Sequence, residues 1–200
     1  YDIIILNTMS KGANFLKKRT VSLLLAVLAL AMCLAFFTSC GKEQSADKAF
    51  GAAMERVRNF DTNGFSQYFS GSAYFDAVMS DIGKVSEGGR EALKTLYSGV
   101  SWEITEVGAS SLSVKLVSFD FDKLSRYVED AYALGTGTDK AEILLSLASG
   151  GRLSSYSATY GIKVNFEGEG DGIKIPFDTA RNNDFVNALG LSRMISLFAK

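Results

Sequence analysis

An uncharged apolar run near the amino terminus, residues 21–37, most constrains what this chain can fold into. The basic cluster Lys17-Lys18-Arg19 precedes the run, and the small residues Thr38 and Ser39 follow it. A basic segment, an apolar segment and small residues before a break are the parts of a secretory signal. We therefore expect residues 1–39 to direct export, and we exclude them from the folded domain.

The apolar run has two other interpretations. As a retained transmembrane helix it would rise about 26 Å, which is short for a bilayer core of about 30 Å. As a buried core helix it would lack the polar face that a helix of a soluble domain presents to water. The small residues at its end fit processing better than either alternative.

The segment Thr38-Ser39-Cys40-Gly41 resembles the lipobox of bacterial lipoproteins. The resemblance implies that the Cys40 thiol receives a diacylglycerol and that cleavage leaves Cys40 as the mature amino terminus. Phe37 departs from the aliphatic residue that is usual at this lipobox position. The implied partner is therefore the membrane, reached through the lipid on Cys40 at the outer face of the cell membrane. A diacyl anchor supplies the two chains that stable attachment requires.

We expect three segments in this chain. Residues 1–39 are the signal peptide, in which Met9 is a candidate start and residues 1–8 lie upstream of it. Residues 40–46 are the acylated tether, and residues 47–200 are one domain, long enough to bury a proper core.

Composition excludes several classes of function. From Cys40 onward the chain carries 17 basic and 21 acidic residues, and this acidity argues against a nucleic-acid partner. Histidine is absent, which removes Ser-His-Asp and Cys-His catalysis and histidine-containing zinc sites. The two cysteines, Cys33 and Cys40, fall in the signal and at the acylation position, so we expect no disulfide, metal or cofactor in the domain.

The hydrophobic period changes along the domain. A period of 3.6 residues predicts helices in its first part, and a period of 2 then predicts a hairpin at 100–116 and a long strand at 156–166. Gly161 suggests a bulge or a bend in that long strand. The pattern predicts helices at 46–59, 65–69, 72–82, 87–98, 124–134, 140–149 and 184–189, a loop at 83–89, and a return strand at 173–177.

Carboxylates stand close together at two places in the sequence. Asp120 and Asp122 precede a predicted helix, where they are an acid–base pair or, as we favour, the cap of that helix. The segment 167–172 alternates acidic residues with glycine, but it lacks the spaced bidentate glutamate of a calcium loop. We interpret it as the glycine-rich turn of a second hairpin.

Five residues are candidates for lining a pocket. An aromatic ligand wall or a carboxylate–tyrosine pair would draw on them, although aromatic residues at such spacing mostly pack in a core. The candidates are Tyr68, Asp76, Trp102, Tyr156 and Tyr160.

Over residues 46–191 the domain is similar to a family of small lipoproteins of the Gram-positive type, with an NTF2-like or cystatin-like domain of unknown function. The motifs that carry the likeness are Ala49-Phe50 with Met54, the segment 114–124, and residues 172–190. The family often has Trp where Ile173 stands. The resemblance implies an α+β fold, with amino-terminal helices packed on a curved antiparallel sheet that forms a cone. It supplies no catalytic residues.

Three hypotheses for function remain. The favoured one is a lipid-anchored extracytoplasmic domain that binds a small molecule, a peptide or an envelope protein, without catalysis. The second is a pocket enzyme of the isomerase or dehydratase type, which would use a buried carboxylate with a tyrosine. The third is a structural or assembly protein of the envelope that docks through its sheet. The sequence does not indicate an oligomeric state.

Overall fold

The computed structural model describes residues 46–137 and 139–199, apart from the side chain of Asp171. The apolar run at 21–37 and Cys40 lie outside these residues, so export and acylation stay predictions. Within the described residues, no helix has both the length and the apolar character needed to cross a membrane.

The amino-terminal part of the described chain is helical, as its period predicts. Helix α1 spans residues 46–58. Serines begin two of the helices that follow, because the hydroxyl oxygen of Ser72 accepts from the Phe75 N–H at 3.1 Å and that of Ser86 accepts from the Gly89 N–H at 3.2 Å. The elements after α1 are α2 (Phe65–Tyr68), β1 (Phe69–Ser70), α3 (Ala73–Lys84) and α4 (Glu87–Tyr97).

Three antiparallel strands form the main sheet, in the order β2-β3-β4. They are β2 (Ser101–Val107), β3 (Ser111–Phe119) and β4 (Ser157–Asn165). Trp102 pairs with Leu116, which pairs with Tyr160, so these three side chains lie side by side on one face. The predicted hairpin and the long strand are therefore confirmed, and the fold class is α+β.

Further helices follow the hairpin of β2 and β3. They are α5 (Phe121–Ala133), α6 (Lys140–Ser149), α7 (Asn183–Leu189) and α8 (Leu191–Phe198). Asp120 caps α5, since its carboxylate accepts from the Lys123 N–H at 3.1 Å, which confirms the predicted capping role. Gly190 separates α7 from α8 in a left-handed conformation, with φ of 56°.

A second, two-stranded sheet joins distant parts of the chain. Strand β5 (Ile175–Pro176) pairs in parallel with β1, and the Ser72 hydroxyl donates to the Phe177 carbonyl at 3.0 Å. The predicted glycine-rich reversal is confirmed, because Glu167 and Lys174 on either side of it form an antiparallel bridge with two backbone hydrogen bonds of 2.9 Å. The predicted return strand has a different partner, because Ile175–Pro176 pairs with β1 and not with β4. A 3₁₀ turn at Gly170–Gly172 lies within this reversal.

Aromatic side chains form the centre of the core. Phe69 is 1% exposed, and its ring lies 5.2 Å from that of Phe177 and 5.7 Å from that of Phe65, measured between centroids. Phe185 of α7 joins the same cluster. Edge-on and tilted ring contacts of this kind add to the burial term, so the aromatic residues of the helices serve mainly as core.

Two smaller predictions are corrected in part. The bulge expected at Gly161 is absent, since β3 and β4 pair in continuous register, and the shift lies instead between Ile104 and Glu106 of β2. The loop expected at 83–89 is much shorter, because α3 continues through the exposed Gly83 and α4 begins at Glu87.

Candidate ligand-binding cleft

Strand β4 has one free edge, and the hydrogen bonds at its two ends show which residues face that edge. Phe166 N–H donates to the Ser110 carbonyl at 3.1 Å, and Asp120 N–H donates to the Tyr156 carbonyl at 2.7 Å. In an antiparallel pair the residues bonded to the partner strand alternate with residues that are not. The even-numbered residues of β4 are therefore bonded to β3, and its odd-numbered residues direct their N–H and C=O groups outward.

The side chain of Asn182 closes one end of this edge. Its amide oxygen accepts from the Asn165 N–H at 2.7 Å, and its amide nitrogen donates to the Asn165 carbonyl at 3.0 Å and to the Pro176 carbonyl at 2.8 Å. Asn182 thus occupies the place of a neighbouring strand at Asn165. Farther along the edge, we find no hydrogen-bond partner among the described residues for the backbone groups of Thr159 and Gly161.

An open cleft of about 1120 Å³ lies along this part of β4. One wall is β4 itself, from Thr159 to Ile162, and the others are the first half of α5, α7 and α8. Gly161 has no side chain and lines the cleft, and a β-carbon built there would meet no atom within 4 Å, so the sheet face at this position is open. The cleft therefore presents strand backbone as well as side chains.

Two ion pairs hold the α5 side of the cleft. The Asp120 carboxylate forms an ion pair with the Lys123 ammonium at 2.7 Å. The hydrogen bond from Lys123 is the main cause that lowers the pKa of the Asp120 carboxyl. The Asp122 carboxylate forms an ion pair with the Arg193 guanidinium at 2.8 Å, which links the first turn of α5 to α8. All four side chains are partly exposed, so these pairs fix positions more than they stabilise the fold.

The charged side chains that line the cleft are mostly acidic. They comprise the carboxylates of Asp120, Asp122, Glu129 and Asp184, and the guanidinium of Arg193. Within the described residues, we find no ion pair for Glu129 or Asp184. The cleft therefore offers two carboxylates that a positively charged ligand could reach.

Tyr160 lines the cleft but is held in place by the backbone. Its hydroxyl donates to the Phe119 carbonyl at 3.0 Å. Burial, followed by the charges of Asp120 and Asp122, raises the pKa of the Tyr160 hydroxyl. The tyrosine is therefore protonated at neutral pH and already uses its proton in a structural bond.

The other four pocket candidates lie outside the lining of this cleft. Trp102 shares a sheet face with Tyr160 but stands on the far strand, and Tyr156 packs against Tyr127 at 5.9 Å between ring centroids. Tyr68 ends α2 and Asp76 lies exposed in the first turn of α3. The structure thus brings only Tyr160 of the five to the cleft described here.

Sequence reasoning missed Glu129, Asp184 and Arg193. Each occupies an exposed helix position, where a charged residue carries no signal of its own. The sequence does indicate Asp122 through its spacing from Asp120, and that spacing is the one signal for this side of the cleft. Cys40, the lipidation candidate, lies outside the described residues.

The described part of the chain has few features that suggest a metal site or a buried carboxylate that could act in catalysis. It contains no group of three or more His, Cys, Asp or Glu residues placed to hold a metal ion. Asp178 is its one buried carboxylate, at 9% exposure, and the Arg181 guanidinium contacts it at 2.8 Å. That carboxylate is occupied by a structural ion pair.

Comparison with known proteins finds little that is similar. No protein-family model matches the chain, and no curated protein matches it. Among solved structures, the chain is similar to the crystal structure of a suspected lipoprotein, ycdA, from Bacillus subtilis, with 16% identity and a TM-score of 0.34. The match covers 82% of this chain and 59% of that protein, so this chain spans less than two thirds of its length. So low a TM-score establishes neither a common fold nor a common function.

Proposed function

We propose that this protein is a lipid-anchored extracytoplasmic binding domain without catalytic activity. The anchor rests on the sequence, in which a basic cluster and an apolar run precede Cys40. The observation that carries the binding role is the open cleft along β4, with its unpaired backbone and its two available carboxylates. The ligand is held by polar groups at an accessible surface rather than enclosed in an apolar pocket.

The enzyme hypothesis requires a buried carboxylate beside a tyrosine hydroxyl. In the described residues the buried carboxylate is Asp178, which Arg181 neutralises, and the cleft tyrosine is bonded to Phe119. The carboxylates that line the cleft are exposed or partly exposed. This arrangement supports a binding role over proton transfer.

The NTF2-like or cystatin-like architecture belongs to the same proposal. Its support is the order of elements, with helices α1, α3 and α4 ahead of an antiparallel sheet and α7 against β3 and β4. An experimental structure in which the sheet curls around a helix would agree with this architecture. A flat sheet in that structure would count against it.

The anchor is tested by metabolic labelling with an alkyne-bearing fatty acid, followed by mass spectrometry of the mature amino terminus. The chain offers a matched pair of variants, since Cys33 lies in the same apolar run as the acylation candidate. We expect Cys40→Ser to abolish the label and Cys33→Ser to keep it. Recovery of an uncut, unlabelled protein from the cytosol would overturn the anchored location.

A further inference from the structure

We propose that the cleft binds an extended peptide segment with basic side chains, which adds to the free edge of β4 as a fourth strand. This inference rests on the proposed binding function and specifies the chemical class of the partner. It joins two features of one surface: unpaired strand backbone and available carboxylates.

The backbone of β4 is suited to strand addition. From Ser157 to Lys163 the register with β3 is continuous, so the outward N–H and C=O groups are regularly spaced over about 20 Å. Thr159 and Gly161 supply four of these groups inside the cleft. Backbone hydrogen bonds to an exposed edge are the usual source of affinity in peptide recognition by strand addition.

The opposite edge of the sheet is less suited. Strand β2 changes register between Ile104 and Glu106, and a bulge of this kind interrupts the regular spacing of edge groups. The Thr105 hydroxyl also donates to the Ser113 carbonyl across the bulge. Natural sheets use bulges to block edge pairing, whereas the β4 edge carries none and borders the cleft.

The charge of the cleft selects the side chains of the peptide. Asp184 on α7 and Glu129 on α5 flank the strand without ion-pair partners in the described residues. Side chains of an added strand alternate between the two faces of the sheet. Lysine or arginine at every second position would therefore place all the basic side chains on one face, toward the helices that carry the carboxylates. Complementary charges of this kind favour rapid and specific association.

A second copy of the chain is a weaker occupant. Pairing of two β4 edges would bring two acidic clefts together, and like charges placed opposite one another oppose association. A small molecule is also less suitable, because such ligands favour concave, mainly apolar pockets. The observations therefore favour a separate basic peptide.

The test uses the full chain in detergent micelles and three fluorescent decapeptides. The first alternates lysine with threonine, the second has the same sequence with alternate backbone nitrogens methylated, and the third replaces lysine with glutamate. Fluorescence anisotropy measures affinity, and hydrogen exchange measures protection of the Thr159 and Gly161 amides. We expect the first peptide to bind and to protect both amides, and the other two to bind at least tenfold more weakly.

Matched variants separate backbone from charge. Gly161→Pro removes one outward N–H but no bond to β3, whereas Gly161→Ala retains that N–H; we expect about tenfold weaker binding for proline and little change for alanine. The double change Glu129→Gln with Asp184→Asn should weaken binding about tenfold and reduce its salt dependence. Glu103→Gln, on the bulged strand, is the control for charge and should have no effect.

Each contrary outcome has a distinct meaning. Equal binding of the methylated peptide would overturn strand addition, and equal binding of the glutamate peptide would overturn the charge selection; in both cases a binding cleft remains. Concentration-dependent dimerisation that protects the same amides would assign the edge to a second copy. If no peptide binds, this inference fails, while the anchor is decided separately by the Cys40→Ser labelling experiment.

Discussion

Replacement of Asn182 by alanine should destabilise the fold more than replacement of any nearby exposed asparagine by alanine. Its side chain is 2% exposed and makes three hydrogen bonds, which join the end of β4 to Pro176. No capping bond to α7 is involved, so the effect reports these three bonds. In Asn182→Ala, the buried carbonyl of Pro176 and the partly buried N–H and carbonyl of Asn165 lose their partner.

The expected magnitude follows from those three bonds. Each contributes about 0.5–1.5 kcal/mol net, so their loss should lower the free energy of unfolding by about 3 kcal/mol. For a domain of this size the melting temperature should fall by roughly 6–12 °C. Asn182→Asp should be equally harmful at neutral pH, because a carboxylate would face the carbonyl oxygens of Asn165 and Pro176.

Urea unfolding followed by fluorescence measures this loss directly. Trp102 is the one tryptophan of the chain and is half-buried in the sheet, so its emission should change on unfolding. Asn187→Ala is the control, since Asn187 is exposed and bonds to the Asn183 side chain alone; we expect a change within about 0.5 kcal/mol. A loss below about 1 kcal/mol for Asn182→Ala would refute the reasoning.

Two further effects on stability can be predicted. Gly190→Ala should lower the free energy of unfolding, measured in urea, by about 3 kcal/mol or more, because φ is 56° and the new β-carbon would lie 2.3 Å from the Phe121 ring. Gly151→Ala is the control, since Gly151 has φ of 68° in open space, and it should lower that free energy by about 1 kcal/mol. Equal losses in the two variants would contradict the steric argument. Burial raises the pKa of Asp178, but hydrogen bonds from Arg181 outweigh burial and hold that pKa below its usual range. The contribution of the Asp178–Arg181 pair to stability is therefore complete above about pH 4 and is lost as pH falls through the lowered pKa. Urea midpoints measured from pH 6 to 2 should show that loss and a smaller one in Arg181→Gln; an equal acid response in the variant would rule the pair out as its source.

Local pattern was sufficient for most elements and for the cap of α5. The alternation of Tyr160, Ile162 and Val164 predicted β4, because one face of that strand is buried. Asp120 before an apolar period predicted the start of α5. These features depend on neighbours in sequence, and the physical rule for each acts over a few residues.

Non-local pairing was beyond the sequence. Ile173, Ile175 and Phe177 alternate as a strand should, and all three are buried, but their partner is β1 rather than β4. Periodicity reports burial and not the identity of the neighbouring strand. The cleft was missed for the same reason, since Glu129 and Asp184 become neighbours of β4 through the packing of helices.

The parallel pairing of β1 with β5 has a consequence for the order of folding. Contacts from the first third of the domain to the last recur elsewhere: the Lys174 ammonium donates to the Ser66 carbonyl at 3.0 Å, and the buried Tyr97 hydroxyl donates to the Leu189 carbonyl at 3.0 Å. Closing loops of this length costs entropy before any contact compensates for it. A nascent chain that has not yet emerged beyond Leu189 therefore lacks residues that its first helices and β1 contact in the folded domain. It should stay open and sensitive to proteases until synthesis or translocation delivers α7.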